Sequence, residues 1–274
     1  MLSKLQIHQF FQDGYIGPFD LPQDFLQPYT EKRFKESVFA YFRARSECGD
    51  TAFSDSLRNQ HRYSKSLCAL ASEPGLLSRV TSILGPDLLL WLGHIAPRLP
   101  GDRGQAFHVD SDNRNVRGLH VTAALSPNTA SNGCLQVIPG SHLFRASLCA
   151  ASTRGLVDLW DQASVMKYAD LVAPWSAPHQ LVPMTLEVGQ YFLMSEGTWH
   201  FVGPNDSRSF RLNLVSRYAR PDIVCRDYGF SDSEIHSGPT LPCVLVAGSD
   251  QFLLNNLVST PTDDIFRLPN PSSA

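Results

Sequence analysis

His108 and Asp110 close the segment Gln105-Ala106-Phe107-His108-Val109-Asp110 as an H-x-D triplet. The two-residue period of an extended strand would turn both side chains to one face. Alone the triplet is weak, because nine histidines and 19 aspartates yield about 0.6 of them by chance in this chain. A third candidate, His200, ends Gly197-Thr198-Trp199-His200 beyond the strand-like run Tyr191 to Met194, where folding could bring it beside the first pair. Two imidazoles and one carboxylate make a facial triad that leaves three adjacent octahedral positions open, a set suited to non-haem Fe(II). Structural zinc would favour four closed ligands, often thiolates, and no cysteine is placed to compete. Eleven residues past His200, Arg211 lies in the alternating run Phe210 to Tyr218 and shares a face with Asn213. A guanidinium turned inward there needs a carboxylate, which a dicarboxylate cosubstrate could supply through a bidentate pair. The plain alternative is an arginine left in water.

The elements that must position these groups change character along the chain. Phe34, Val38, Tyr41 and Phe42, then Leu76, Val80, Ile83 and Leu84, follow helical spacing. Pro74 and Gly85-Pro86 punctuate the second helix. Beyond Pro86, short apolar or alternating runs predominate: 88–95, 118–125, 134–138, 181–186, 191–194 and 210–218. The expectation is one α+β domain, with a mainly helical flank over 1–86, a β-sandwich core over 87–220 and a C-terminal extension over 221–274. Residues 144–177 break the strand rhythm and read as an insertion, either a lid or a packing appendage. Pieces of the tail such as Cys243 to Ala247 are expected outside the core. Pro139-Gly140-Ser141-His142 reads as a turn and not as a second metal site. Trp199 reads as packing, and Gln136 either faces the pocket or pairs locally.

Composition narrows the partners. In 274 residues, 43% hydrophobic and 18% charged, a disordered chain is excluded. A net charge of −3 lacks the basic footprint of nucleic-acid or anionic-membrane binders. The longest near-apolar run, Leu88 to Ala96, is far short of the ~20 residues of a spanning helix. The amino terminus interleaves Lys4, Gln6, His8, Gln9 and Gln12 with its apolar residues, unlike an export signal. Six scattered cysteines without a C-x-x-C pair suit a reduced, cytoplasmic chain.

Four stretches together resemble a known family: F-F-Q-D-G-Y-I-G-P-F from Phe10, H-V-D from His108, S-N-G-C-L-Q-V-I-P-G-S-H from Ser131, and H-F-V-G-P-N-D-S-R-S-F-R from His200. They are similar to the phytanoyl-CoA dioxygenase-like family of Fe(II)/2-oxoglutarate oxygenases, over roughly Phe10 to Tyr218 and most strongly from Pro100 to Arg211. The resemblance implies a double-stranded β-helix (jelly-roll, cupin-like) core with flanking N-terminal helices. It implies Fe(II) on His108, Asp110 and His200, with 2-oxoglutarate as cosubstrate, its distal carboxylate on Arg211, and dioxygen as oxidant. Asn115, seven residues after His108, stands where relatives place an amide near 2-oxoglutarate. His120 and Thr122 share a strand face to which the family assigns cosubstrate contacts, although Thr122 replaces a tryptophan of many relatives. For His120 a satisfied core histidine is the alternative.

The Pro100-Gly101-Asp102-Arg103-Gly104 and S-N-G-C-L-Q stretches also resemble the carrier-protein-dependent halogenase branch, where a small residue at the place of Asp110 admits chloride to the iron. Here the carboxylate is present, so oxygenation is expected over halogenation. The expected reaction is hydroxylation of an unactivated C–H bond in a small metabolite, of natural-product or amino-acid origin, free or tethered to a carrier protein. Desaturation, epoxidation or cyclisation by the same machinery is the alternative outcome. A zinc-dependent hydrolase and a non-catalytic jelly-roll binding protein are the readings from other classes.

Overall fold

The computed structural model describes residues 1–30, 32, 34–36, 38–40, 59–110, 118–226 and 240–263. Tyr41, Phe42 and Asn115 lie outside the described residues. The chain enters through helix α1 (Lys4–Asp13), which Ser3 caps reciprocally with Gln6 and which Gly14 ends in the left-handed region at φ 82°. Strand β1 (Tyr15–Asp20) follows, then helices α2 (Gln23–Thr30), α3 (Lys65–Ala71) and α4 (Pro74–Leu84). As the spacing predicts, α4 buries Leu76, Val80 and Leu84, and it starts with Pro74 in its first turn under the carboxylate of Glu73.

Strands β2 (Leu88–Arg98), β3 (Gln105–His108), β4 (Gly118–Ala124), β5 (Leu135–Val137), β6 (Val182–Pro183), β7 (Gln190–Ser195), β8 (His200–Val202), β9 (Arg211–Ala219), β10 (Pro242–Ala247) and β11 (Asn256–Leu257) form two sheets. The larger has the order β1-β7-β4-β9-β2-β10-β11 and the smaller β3-β8-β5-β6. All pairs are antiparallel except β10 with β11. One apolar cluster joins Ala124, Phe192 and Met194 of the large sheet to Leu135 and Val137 of the small one, so the sheets face each other as a jelly roll. The opposite face of the large sheet, with Leu119, Val121, Leu193, Leu212 and Leu214, packs on Phe10, Leu26, Leu67, Leu76 and Val80 of the helices.

One expectation is extended and another corrected. The amino-terminal flank contributes a strand, because β1 pairs with β7. Gly17 and Pro18 interrupt its strand period, and Pro18, which has no N–H to donate, is accommodated because β1 lies at the sheet edge. The tail segment around Cys243 is not outside the core. It forms β10, pairs with β2 and buries Cys243 and Val244.

The insertion folds into helices α5 (Leu148–Thr153) and α6 (Gln162–Val172). They bury Leu148, Ala151, Val165 and Ala169 against Phe107 and Trp199 on the outer face of the small sheet. That packing stands directly behind the strands carrying His108 and His200.

Candidate metal centre and its anion pocket

Alternation around the two histidines is set from outside. Phe107 and Phe201 stack at 4.9 Å between ring centroids, and Trp199 meets Phe144 edge-on at 5.1 Å. The amide of Phe107 donates to the carbonyl of Leu159 at 2.9 Å. With these neighbours held on the outer face, His108 and His200 must turn inward. They are register partners across β3 and β8.

The motif Pro139-Gly140-Ser141-His142 supplies a second brace. Ser141 Oγ donates to the carbonyl of Ile138 at 2.6 Å and accepts the amide of Trp199 at 2.8 Å. His142 Nε2 lies 3.1 Å from the carbonyl of Phe11, which ties the turn to α1. Gln136 pairs with Phe201, on the strand face opposite His200, and so does not face the triad. Asn132 caps its own turn, and Gly133 at φ 75° allows a close approach, since a Cβ there would lie 2.5 Å from the carbonyl of Gly203.

His108, Asp110 and His200 offer ligand atoms within 4.8 Å of one another. Each imidazole directs Nδ1 to a carbonyl two residues back, Ala106 for His108 and Thr198 for His200, both at 2.8 Å. A carbonyl only accepts, so Nδ1 carries the proton and Nε2 keeps its lone pair for a metal. Burial, reinforced by His200, pushes His108 down to about 3, and burial also lowers His200 and His120, which keeps these rings neutral. Burial would raise Asp110, but Arg217, His200 and His120 together hold its carboxyl well below the usual range. The triad therefore presents two neutral nitrogens and one carboxylate, the protonation a divalent cation requires.

Arg217 Nη2 donates to Asp110 Oδ1 at 2.5 Å. His120 Nδ1 lies 2.8 Å from Asp110 Oδ2, yet neither atom has an aligned hydrogen-bond partner. This orphaned carboxylate oxygen, 3.8 Å from His200 Nε2, is the atom a metal would take. His120 thus stands beside the triad. Sequence reasoning assigned no role to Arg217, although it continues the face of Arg211 and Asn213 along β9. Glu196 is a further missed residue: its carbonyl accepts the amide of Asp110 at 2.9 Å. Burial of its carboxyl raises it to about 7, against the pull of Arg217 and with a push from Asp110. The residue is only partly covered, but Oε1 itself is buried.

The interior face of the large sheet carries Arg98 on β2, Arg211 and Asn213 on β9, and His120 and Thr122 on β4. Arg211 is 3% exposed. Burial, followed by the charge of Arg98, pushes it down to about 9. Arg211 Nε, Asn213 Oδ1 and Thr122 Oγ1 are buried without hydrogen-bond partners among the described residues. Unmet polar atoms gathered on one sheet face call for a polar partner.

Comparison with known proteins agrees with this architecture. The family model described as phytanoyl-CoA dioxygenase (PhyH) matches residues 10–213. Dioxygenase lolE1 of Epichloe uncinata is 25% identical over 170 residues, which cover 60% of this chain and 59% of that protein. The match therefore spans less than two thirds of the relative's length. Among solved structures, the non-heme monooxygenase ThoJ–Ni complex aligns with a TM-score of 0.65 at 21% identity, over 94% of this chain and 90% of that one. CytC3 with Fe(II) and alpha-ketoglutarate aligns at 0.63 and 20% identity, over 98% and 97%. EctD from S. alaskensis with 2-oxoglutarate and 5-hydroxyectoine aligns at 0.61 and 18% identity, over 95% and 88%. At these identities the likeness shows a shared fold.

Proposed function

Because the chain belongs to the phytanoyl-CoA dioxygenase family, we propose that it is a non-haem Fe(II)- and 2-oxoglutarate-dependent dioxygenase that hydroxylates an unactivated C–H bond of a small metabolite. The observation carrying this reading is the convergence of His108, Asp110 and His200 ligand atoms within 4.8 Å, with both imidazoles proton-committed at Nδ1. His108 and His200 would hold the iron through Nε2 and Asp110 through Oδ2. When bound, Fe(II) and 2-oxoglutarate supply oxidative decarboxylation of the 2-oxo acid to succinate and carbon dioxide, coupled to oxidation of a substrate C–H bond by dioxygen.

The chain's own work is placement. Arg217 holds Asp110 ionised and oriented from its other oxygen, the role an outer-shell partner plays for a ligating carboxylate. Arg211 is a ready anchor for the distal carboxylate, with Thr122 and Asn213 as polar neighbours on the same wall. Fixing that carboxylate orients the cosubstrate before oxygen arrives. His120 takes its place in this reading as a neighbour of Asp110, and Asn115 as an amide near the cosubstrate. With iron bound, the carboxylate of Asp110 would take the place that a halide needs, which favours oxygenation. The substrate is a small molecule, free or tethered to a carrier protein. The free cysteines Cys68, Cys134, Cys149, Cys225 and Cys243 suit a cytoplasmic location.

Anaerobic titration of the protein with Fe(II) and then 2-oxoglutarate tests the proposal. The weak visible charge-transfer band of the chelate is the expected result, together with succinate formation when oxygen is admitted. An intact, iron-loaded protein that shows neither, or activity with zinc under nitrogen, would overturn it. Asp110→Ala should abolish the band, and a substrate screen scored by product mass should show a gain of one oxygen.

A further inference from the structure

Two guanidiniums that repel each other share one wall of the interior. Arg98 ends β2 directly opposite Arg211 at the start of β9, and both lie on the face that carries Asn213. Like charges directly opposite on adjacent strands are destabilising, and burying charge without a partner is costly. Yet the Nε atoms of both arginines are buried without a hydrogen-bond partner among the described residues. Among the described residues, the remaining donors of Arg98 reach only Gln105 Oε1 at 3.5 Å and the carbonyl of Pro97 at 3.4 Å. Among the described residues no carboxylate lies at ion-pair distance from either guanidinium. Asp102, the acid that acts on both, has Oδ2 engaged by the amide of Leu99 at 2.9 Å.

The strand end is not loose, so the juxtaposition is built in. Asn205 is fully buried and donates Nδ2 to the carbonyl of Arg98 at 3.2 Å and to that of Ser209 at 2.8 Å. It fastens the exit of β2 to the loop that enters β9. A fixed pair of cations with unmet donors calls for an anion between them. A carboxylate presents two oxygens and about four lone-pair sites, enough for both guanidiniums at once.

We propose that Arg98 is a second anion-binding residue beside Arg211, and that the two together clamp the distal carboxylate of the 2-oxo dicarboxylate. This inference rests on the cosubstrate reading above. Arg98 is then a specificity-determining residue: it favours a dicarboxylate over a 2-oxo acid that ends in a methyl group. Its cost falls on the ligand-free protein, where the two charges repel each other and Asp102 offsets them only from a distance.

The experiment compares wild type, Arg98→Gln, Arg98→Lys and Arg211→Gln as full chains. Binding of 2-oxoglutarate and of 2-oxovalerate, the same carbon chain without the distal carboxylate, is measured anaerobically on the Fe(II)-loaded proteins. Melting temperatures are measured on the metal-free proteins with and without succinate. The expected result for Arg98→Gln is a roughly 10- to 100-fold loss of 2-oxoglutarate affinity. Its 2-oxovalerate affinity should stay within about twofold, because that ligand has no group for the clamp. The ligand-free melting temperature should be unchanged or raised, while the succinate-induced rise shrinks. Arg98→Lys, which keeps the charge and loses the fork, should fall between. Equal 2-oxoglutarate binding by Arg98→Gln and wild type overturns the clamp while leaving the functional reading standing. Parallel loss of both ligands, or a lower ligand-free melting temperature in both Arg98 variants, also overturns it by showing a structural role. A wild type that binds iron but not 2-oxoglutarate overturns the functional reading, and the clamp with it.

Discussion

His108 and His200 face each other across β3 and β8 as register partners, their ring centroids 4.1 Å apart, and each commits Nδ1 to the carbonyl two residues before it. The pair is therefore locked both in rotamer and in tautomer before any metal arrives. A metal site formed this way spends little ordering entropy at binding, because the surrounding sheet has already fixed both rings.

The same burial makes the metal-free fold acid-sensitive. His108 is held at about 3, below its ordinary value near 6.5, so between these values the unfolded chain binds a proton that the native ring does not. The stability associated with the neutral ring is complete above about pH 6.5 and is lost as pH falls toward 3. Glu196, raised to about 7, acts in the opposite sense and loses stability as pH rises toward 7. The histidine contribution is isolated by comparing urea midpoints of wild type and His108→Asn at pH 7.5, 6.0 and 5.0. The wild-type midpoint should fall more steeply than that of the variant. Parallel curves would show that His108 does not carry this pH dependence.

Arg217 and Asp110 form a largely buried ion pair, with side chains 15% and 6% exposed. Arg217→Met would leave the carboxylate buried without its main counter-charge, which typically costs about 3–5 kcal/mol. A divalent cation would restore much of that neutralisation. The metal-free variant should therefore melt well below wild type, and the rise in melting temperature on adding Mn(II) or Fe(II) should be larger in the variant than in wild type. Calorimetry with and without metal checks both signs. Equal metal-induced shifts would separate Arg217 from the metal centre.

How far such features are legible in sequence depends on the physics involved. The triad is legible because strand alternation and ligand chemistry constrain residue type and spacing together, and H-x-D with a distant histidine satisfies both. Arg217 was equally open to alternation, two residues beyond Val215 on the inward face, but its role depends on where Asp110 ends up and so on tertiary placement. Arg98 is harder to find. It ends an apolar run and looks like an ordinary strand terminus until cross-strand register sets it against Arg211. β1 was hidden because Gly17 and Pro18 break its period, whereas the strand character of Cys243 to Ala247 was legible and only its pairing with β2, a matter of tertiary register, was not. The turn Pro139 to His142 is legible as a turn, but that its Ser141 hydroxyl holds the amide of Trp199 beside His200 depends on tertiary placement.

That bracing role makes the last prediction. Ser141 is 1% exposed, and its hydroxyl is the partner of the Trp199 amide, one residue before His200. Ser141→Ala leaves that amide buried without an acceptor, a cost of about 1–3 kcal/mol. The loss falls on the start of β8, whose three residues give it little hydrogen bonding of its own. Stability should therefore drop by that amount in urea denaturation. Fe(II) affinity should weaken as well, although no ligand has been touched, because Nε2 of His200 is placed only as firmly as the backbone behind it. Alternation predicts the contrast: Phe201→Leu, one residue to the other side and facing the insertion, should lower stability through lost stacking with Phe107 while the iron affinity changes less. Should Ser141→Ala weaken the fold and leave Fe(II) binding at the wild-type value, the brace would be structural only, and the geometry of His200 would be secured by the Thr198 carbonyl and the pairing of β8 with β3 and β5.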